Sequence, residues 1–75
     1  MLLSNTITAP VSAFHSRTDH VEVFFGMLPS SHKIMLDNPD FDALVATLGQ
    51  AYREKRPLKV GYSIDFKVQS LEFAD

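Results

Sequence analysis

Cysteine and tryptophan are both missing from this chain of 75 residues, and glycine occurs only three times. Without cysteine there is neither a disulfide nor a thiolate metal site, so a fold this small rests on its apolar core or on association with another chain. At this length a single domain buries only about 60% of the surface its unfolded chain exposes. Self-association is the expected supplement. Basic residues are also sparse: seven Lys and Arg stand against nine Asp and Glu, giving a net charge of −2 and an isoelectric point near 5.8. Arg17, Lys33, Arg53, Lys55, Arg56, Lys59 and Lys67 are spread along the chain, whereas a phosphate-binding footprint uses a strongly basic face. No long apolar run occurs. Met1-Leu2-Leu3 gives way at once to Ser4, Asn5 and Thr6, short of what a signal peptide or a membrane span needs. The expectation is no membrane partner and a cytoplasmic location, a mature exported domain being the other reading.

What is present is ordinary globular material, 45% apolar and 21% charged, above the apolar-poor range of disordered chains. Alternation supplies the strands. Ile7, Ala9, Val11 and Ala13 share one face of residues 5–14, with a bend or bulge at Pro10, which has no N–H to give a ladder. His15–Asp19 reads as a loop. In His20–Leu28, Val21, Val23, Phe25 and Met27 point inward while His20, Glu22, Phe24, Gly26 and Leu28 point outward. A turn at Pro29-Ser30-Ser31 leads to His32–Leu36, with Ile34 and Leu36 inward and Lys33 and Met35 outward.

Asp37-Asn38-Pro39 then reads as a helix start, with Asn38 as cap and Pro39 in the first turn, for a helix from about Pro39 to Arg56. Its apolar stripe is Phe41, Leu44, Val45, Leu48 and Tyr52. Basic Arg53, Lys55 and Arg56 suit the negative end of the dipole, and Pro57 stops the helix. Strands Leu58–Ile64 and Val68–Phe73 follow. Val68, Leu71 and Phe73 can share a face only with a bulge near Gln69-Ser70.

The order strand, strand, strand, helix, strand, strand resembles that of the OB-fold barrel. The segment ALVATLGQAYREKRPLKVGYSIDFKVQSLEF is also similar to the last helix and hairpin of the pentameric receptor-binding subunits of bacterial toxins, without their disulfide. The resemblance implies an α+β, mostly β fold, built as a five-stranded barrel with one helix; with no repeat or linker to divide it, the chain is expected to be a single domain over residues 1–75. The resemblance also implies a ligand platform on the outer face of strands two and three.

Chemistry-bearing residues are few. His15, His20 and His32 with Asp19 and Asp37 match no metal-ligand spacing, and are expected to be surface histidines. No serine stands in a nucleophile elbow, and the acidic pairs Asp19 with Glu22 and Glu54 with Glu72 read as solvated charge. Neither an enzyme nor a cofactor is expected. The expected interaction face is Phe24 and Leu28 on the outside of the second strand, with Met35 and Lys33 on its neighbour and Glu22 beside them. Its occupant is another copy of the chain or another protein, with single-stranded nucleic acid or an oligosaccharide as the alternative. Cover by Met1–Leu3 or by a loop is the structural reading of the same patch.

Overall fold

The computed structural model describes residues 4–75. It holds β1 (Ser4–Ala9), β2 (Val11–Ser16), β3 (His20–Phe25), β4 (His32–Met35), α1 (Phe41–Glu54), β5 (Leu58–Ser63) and β6 (Val68–Phe73). The fold is α+β and mostly β. Its strands form two antiparallel sheets, ordered β1-β5-β6 and β2-β3-β4.

Pro10 is the hinge between them. On one side of it Ile7 pairs with Val60 and Ala9 with Leu58; on the other, Val11 pairs with Phe25. The first strand of the sequence reading is therefore two strands, because proline cannot donate to a ladder and the direction changes where the ladder stops. Its carbonyl accepts the Gly26 N–H at 2.8 Å.

A second irregularity follows at once. The register passes from Val11↔Phe25 to Ala13↔Phe24, leaving Ser12 as the extra residue, and its hydroxyl donates to the Gly26 carbonyl. One extra residue sends every later side chain to the other face. Ala13 consequently lies beside Phe24 on the outer face, and Phe14 lies opposite Val23 on the inner one. This corrects the expectation that Ala13 shares a face with Val11. The strand also continues through His15 and Ser16, which read as loop in the sequence.

β3 ends at Phe25, one residue before Gly26 turns the chain with φ 56°, in the region where a β-carbon is disfavoured. Met27, expected in the core, is 100% exposed. Leu36, also expected inward, lies beyond the end of β4 and is 57% exposed, its N–H bonded to the Asp19 carbonyl.

The helix runs from Phe41 to Glu54 rather than from Pro39 to Arg56. Asn38 does serve its start, through Oδ1 to the Asp40 N–H at 2.8 Å, but this closes a turn ahead of the first helical residue. At the far end Lys55 adopts a left-handed φ of 56°, and the Arg56 N–H reaches back to the Ala51 carbonyl, a common helix stop. Leu44, Leu48 and Ala51 are buried, and Phe41 and Val45 pack on the core. Tyr52, assigned to the buried stripe, is exposed; its ring meets Phe14 edge to face at 5.2 Å.

In the closing hairpin the register moves from Gly61↔Ser70 to Tyr62↔Val68, so Gln69 is the extra residue at the expected bulge. Val68 is buried, with Leu71 and Phe73 packed on the core. β5 stops at Ser63, leaving Ile64 outside it.

The core is Val21, Val23, Phe25, Ile34, Leu44, Leu48, Ala51, Leu58, Val60 and Val68, contributed by both sheets and the helix. Opposite the Pro10 hinge, the free edges of β4 and β6 meet at a single parallel bridge, Lys33↔Lys67. The five-stranded closed barrel is thus corrected to six strands in two sheets, with no closed barrel among the described residues. No helix there is long and apolar enough to cross a membrane.

Candidate functional site

The expected interaction face is only partly assembled. Glu22 and Phe24 lie on the outer face of β3, and Lys33 and Met35 on that of β4, with Glu22 paired to Lys33 and Met35 to His20. Leu28 is not among them: it lies past the end of β3, in the turn closed by its own N–H on the Phe25 carbonyl. Charge also divides the face. Glu22 accepts from Arg17 at 2.8 Å and from Ser31 at 3.2 Å; these hydrogen bonds, the Arg17 one foremost, hold its carboxyl below the usual range. Phe24, half-buried with His15 edge-on at 6.4 Å, is separated from Met35 by the Glu22–Lys33 pair. Cover by Met1–Leu3 lies outside the described residues.

Met35 belongs instead to a larger feature that alternation could not show. Past the Lys33–Lys67 bridge the edges of β4 and β6 leave an open groove of about 720 Å³, lined by Met35, Asp37, Pro39, Ile64, Asp65 and Val68 among others. An adjoining hollow of about 360 Å³ is lined by Asp19, Met35, Leu36 and Asp37. Ile64 is 69% exposed here. The groove thus joins apolar side chains open to solvent with three carboxylates. Asp19 accepts from His20 Nδ1 at 2.6 Å and Asp65 accepts from the Ser63 hydroxyl; each hydrogen bond holds its carboxyl below the usual range. Both are anions at neutral pH. Lys67, 3.4 Å from Asp65, offsets part of that charge.

His32 corrects the reading of three surface histidines. It is 1% exposed, and neither ring nitrogen has a hydrogen-bond partner among the described residues. Phe25, Tyr62 and Phe66 surround it edge to face, with centroids at 5.3, 4.4 and 5.3 Å. A signal was present in the sequence, since the alternation that turns Ile34 inward turns His32 inward too. An unsatisfied buried polar group costs about 1–3 kcal/mol. Aromatic contacts of about 0.5–1.5 kcal/mol each offset part of that. Burial depresses the imidazole pKa, so the ring is held neutral.

The other candidate chemistry resolves into structural pairs. Arg56 forks onto Asp75 at 2.9–3.2 Å, reaches Glu54 at 3.1 Å and lies 3.8 Å over the Phe73 ring, tying the helix end to the last strand. Of the acidic pairs, Asp19 is engaged with His20 and Glu22 with Arg17. No group of three metal-ligating side chains occurs among the described residues. In comparison with known proteins, no family model, no curated protein and no solved structure matches this chain.

Proposed function

We propose that this chain is a noncatalytic binding module of OB-like architecture, whose partner is a protein segment carrying both cationic and apolar side chains. The OB-like reading is supported by the successive strands β1 and β2, which lead from one sheet into the other through Pro10, by the helix between β4 and β5, and by the parallel sense of the bridge at the β4 and β6 edges. The observation that carries the function is the groove at that seam. It combines Ile64, Leu36 and Met35 with Asp19, Asp37 and Asp65. Exposed apolar side chains beside three carboxylates, their charge offset only in part by Lys67, favour a basic, apolar strand or turn and repel a polyanion. Nucleic acid is further disfavoured at Phe24, where the ionised Glu22 is the adjacent residue.

Selection of a random peptide library on the immobilised domain tests this directly. Enriched peptides should combine Lys or Arg with Leu, Ile or Val, should shift the amides of Met35, Asp37 and Ile64 on titration, and should lose binding to Ile64→Asp. Acidic binders, or binders mapped elsewhere, overturn the reading. Light scattering decides the alternative occupant: a dimer broken by Ile64→Asp identifies the partner as a second copy of the chain.

A further inference from the structure

Two observations coincide at the joint between the sheets. The first is His32, buried without a partner for either nitrogen. The second is Phe66, in the turn between β5 and β6. Its φ of 63° is left-handed, a conformation that residues with a β-carbon seldom adopt. Phe66 is held there by its neighbours: its ring stacks on Tyr62 at 5.8 Å and closes over His32, its N–H reaches the Ser63 carbonyl, and its carbonyl accepts the Lys33 N–H at 2.8 Å. That last bond belongs to the single bridge joining β4 to β6. Of the three rings around His32, Phe25 is fully buried and Tyr62 partly, while Phe66 is 40% exposed. Phe66 is therefore the wall between the imidazole and water.

We propose that His32 and Phe66 form an acid-operated latch: protonation of the imidazole expels Phe66, breaks the Lys33–Phe66 bond and parts the seam between the sheets. A neutral imidazole fits a dry aromatic enclosure, whereas an imidazolium presents two N–H donors and a full charge where neither nitrogen has a hydrogen-bond partner among the described residues. β3 offers it Phe25, and the buried residues of the helix, which contacts β4, are Leu44, Leu48 and Ala51, none of which titrates. β5 offers the Tyr62 ring with its phenol. On β4 the adjacent Lys33 is exposed, and the preceding Ser31 hydroxyl is committed to Glu22. Asp65 and Lys67, flanking Phe66, are exposed and paired with each other. No carboxylate compensates the new charge, so it is relieved only by admitting water, and the way in passes Phe66. The same turn carries Ile64 and Asp65, so opening also dismantles one wall of the groove. The latch stands on the enclosure and the bridge alone, whatever the groove binds.

Amide hydrogen exchange across pH 7.5–5, corrected for intrinsic rates, tests it. The opening equilibrium at the Lys33 amide should rise by up to about tenfold per pH unit below the ordinary imidazole value of 6.5, and should stay insensitive to low urea while the ladder amides of β5 respond to it. In His32→Phe the rise should vanish. Exchange at Lys33 that is independent of pH, or that follows the β5 amides at every urea concentration, overturns the latch. Imidazole NMR of the unaltered chain provides a test free of any folding defect in the variant: His32 should titrate below 6.5 together with the Phe66 ring signals. Titration of His32 at 6.5 with Phe66 unmoved also overturns it.

Discussion

The Lys33 N–H donates to the Phe66 carbonyl at 2.8 Å, and this bond lies in the only bridge between the open edges of the two sheets among the described residues. On the opposite side the sheets are joined covalently through Pro10. A backbone hydrogen bond contributes only about 0.5–1.5 kcal/mol net. Cohesion between the sheets therefore depends on the core that fills the space between them, to which the helix contributes Leu44, Leu48 and Ala51.

Leu48 is the centre of that filling, fully buried on α1 between the two sheets. Leu48→Ala should cost about 2–5 kcal/mol, a cavity term added to lost transfer energy. A domain of this length has roughly 5 kcal/mol or little more in total. Urea denaturation should show the midpoint moved far toward dilute buffer, with about 0–3 kcal/mol of stability left; a loss under about 1 kcal/mol would mean that the helix is not the plug.

Gly26 ends β3 with φ 56°, donates to Pro10 and accepts from Ser12, so one residue joins the hinge, the bulge and the turn. An added β-carbon would meet Ala9 Cβ at an ordinary 3.5 Å. The penalty of Gly26→Ala is therefore conformational, about 1–2 kcal/mol. Gly26→Asn should cost less, because asparagine tolerates this region better. Thermal melts of the two variants check the ordering.

The parts that could be read in the sequence were those carried by local periodicity. Val21, Val23 and Phe25 alternate within a regular ladder, and they are buried as expected. Gln69 was legible because Val68 and Leu71 cannot otherwise share a face. Ser12 was not: its bulge leaves both Val11 and Ala13 as small apolar residues, and only the partner strand reveals that one of them has crossed over. The strand ends were lost for a different reason. Met27, Leu36 and Ile64 continue the alternation past Phe25, Met35 and Ser63, where the chain has already left the sheet. Two of these overrun residues, Ile64 in the groove and Leu36 in the adjoining hollow, supply apolar surface there, so the alternation that located the strands hid part of it.

Gly61 faces Ser70 across the β5–β6 ladder, and a β-carbon at Gly61 would lie 2.4 Å from the Ser70 Oγ but 3.7 Å from its Cβ. The clash is with a rotatable hydroxyl. Gly61→Ala alone should cost about 1 kcal/mol through a displaced rotamer. In a Ser70→Ala background the same substitution should be neutral or stabilising, because only an ordinary contact remains and a glycine has left the strand. Equal costs in both backgrounds would place the strain in the backbone instead.

His32 sets the acid limit of stability. Its folded pKa lies below the ordinary 6.5, because burial penalises the charged ring. The unfolded chain therefore binds the proton more readily. The stabilisation is complete above 6.5, and falls as pH descends from there toward the depressed folded value, by up to about 1.4 kcal/mol per unit. The shifted carboxylates act elsewhere. Asp19, Glu22, Asp65 and Asp75 are held below ordinary values of 3.8 or 4.5, chiefly by hydrogen bonds, so their contributions persist until pH falls below that range. Between pH 6.5 and 5 the loss specific to burial thus belongs to His32. His32→Leu should flatten the curve in this interval. At pH 7.5 it should be near neutral or stabilising, since it removes two unsatisfied nitrogens from an apolar enclosure. Urea titrations of both chains at half-unit intervals measure the difference, and parallel curves would mean that the buried imidazole is not what acid attacks.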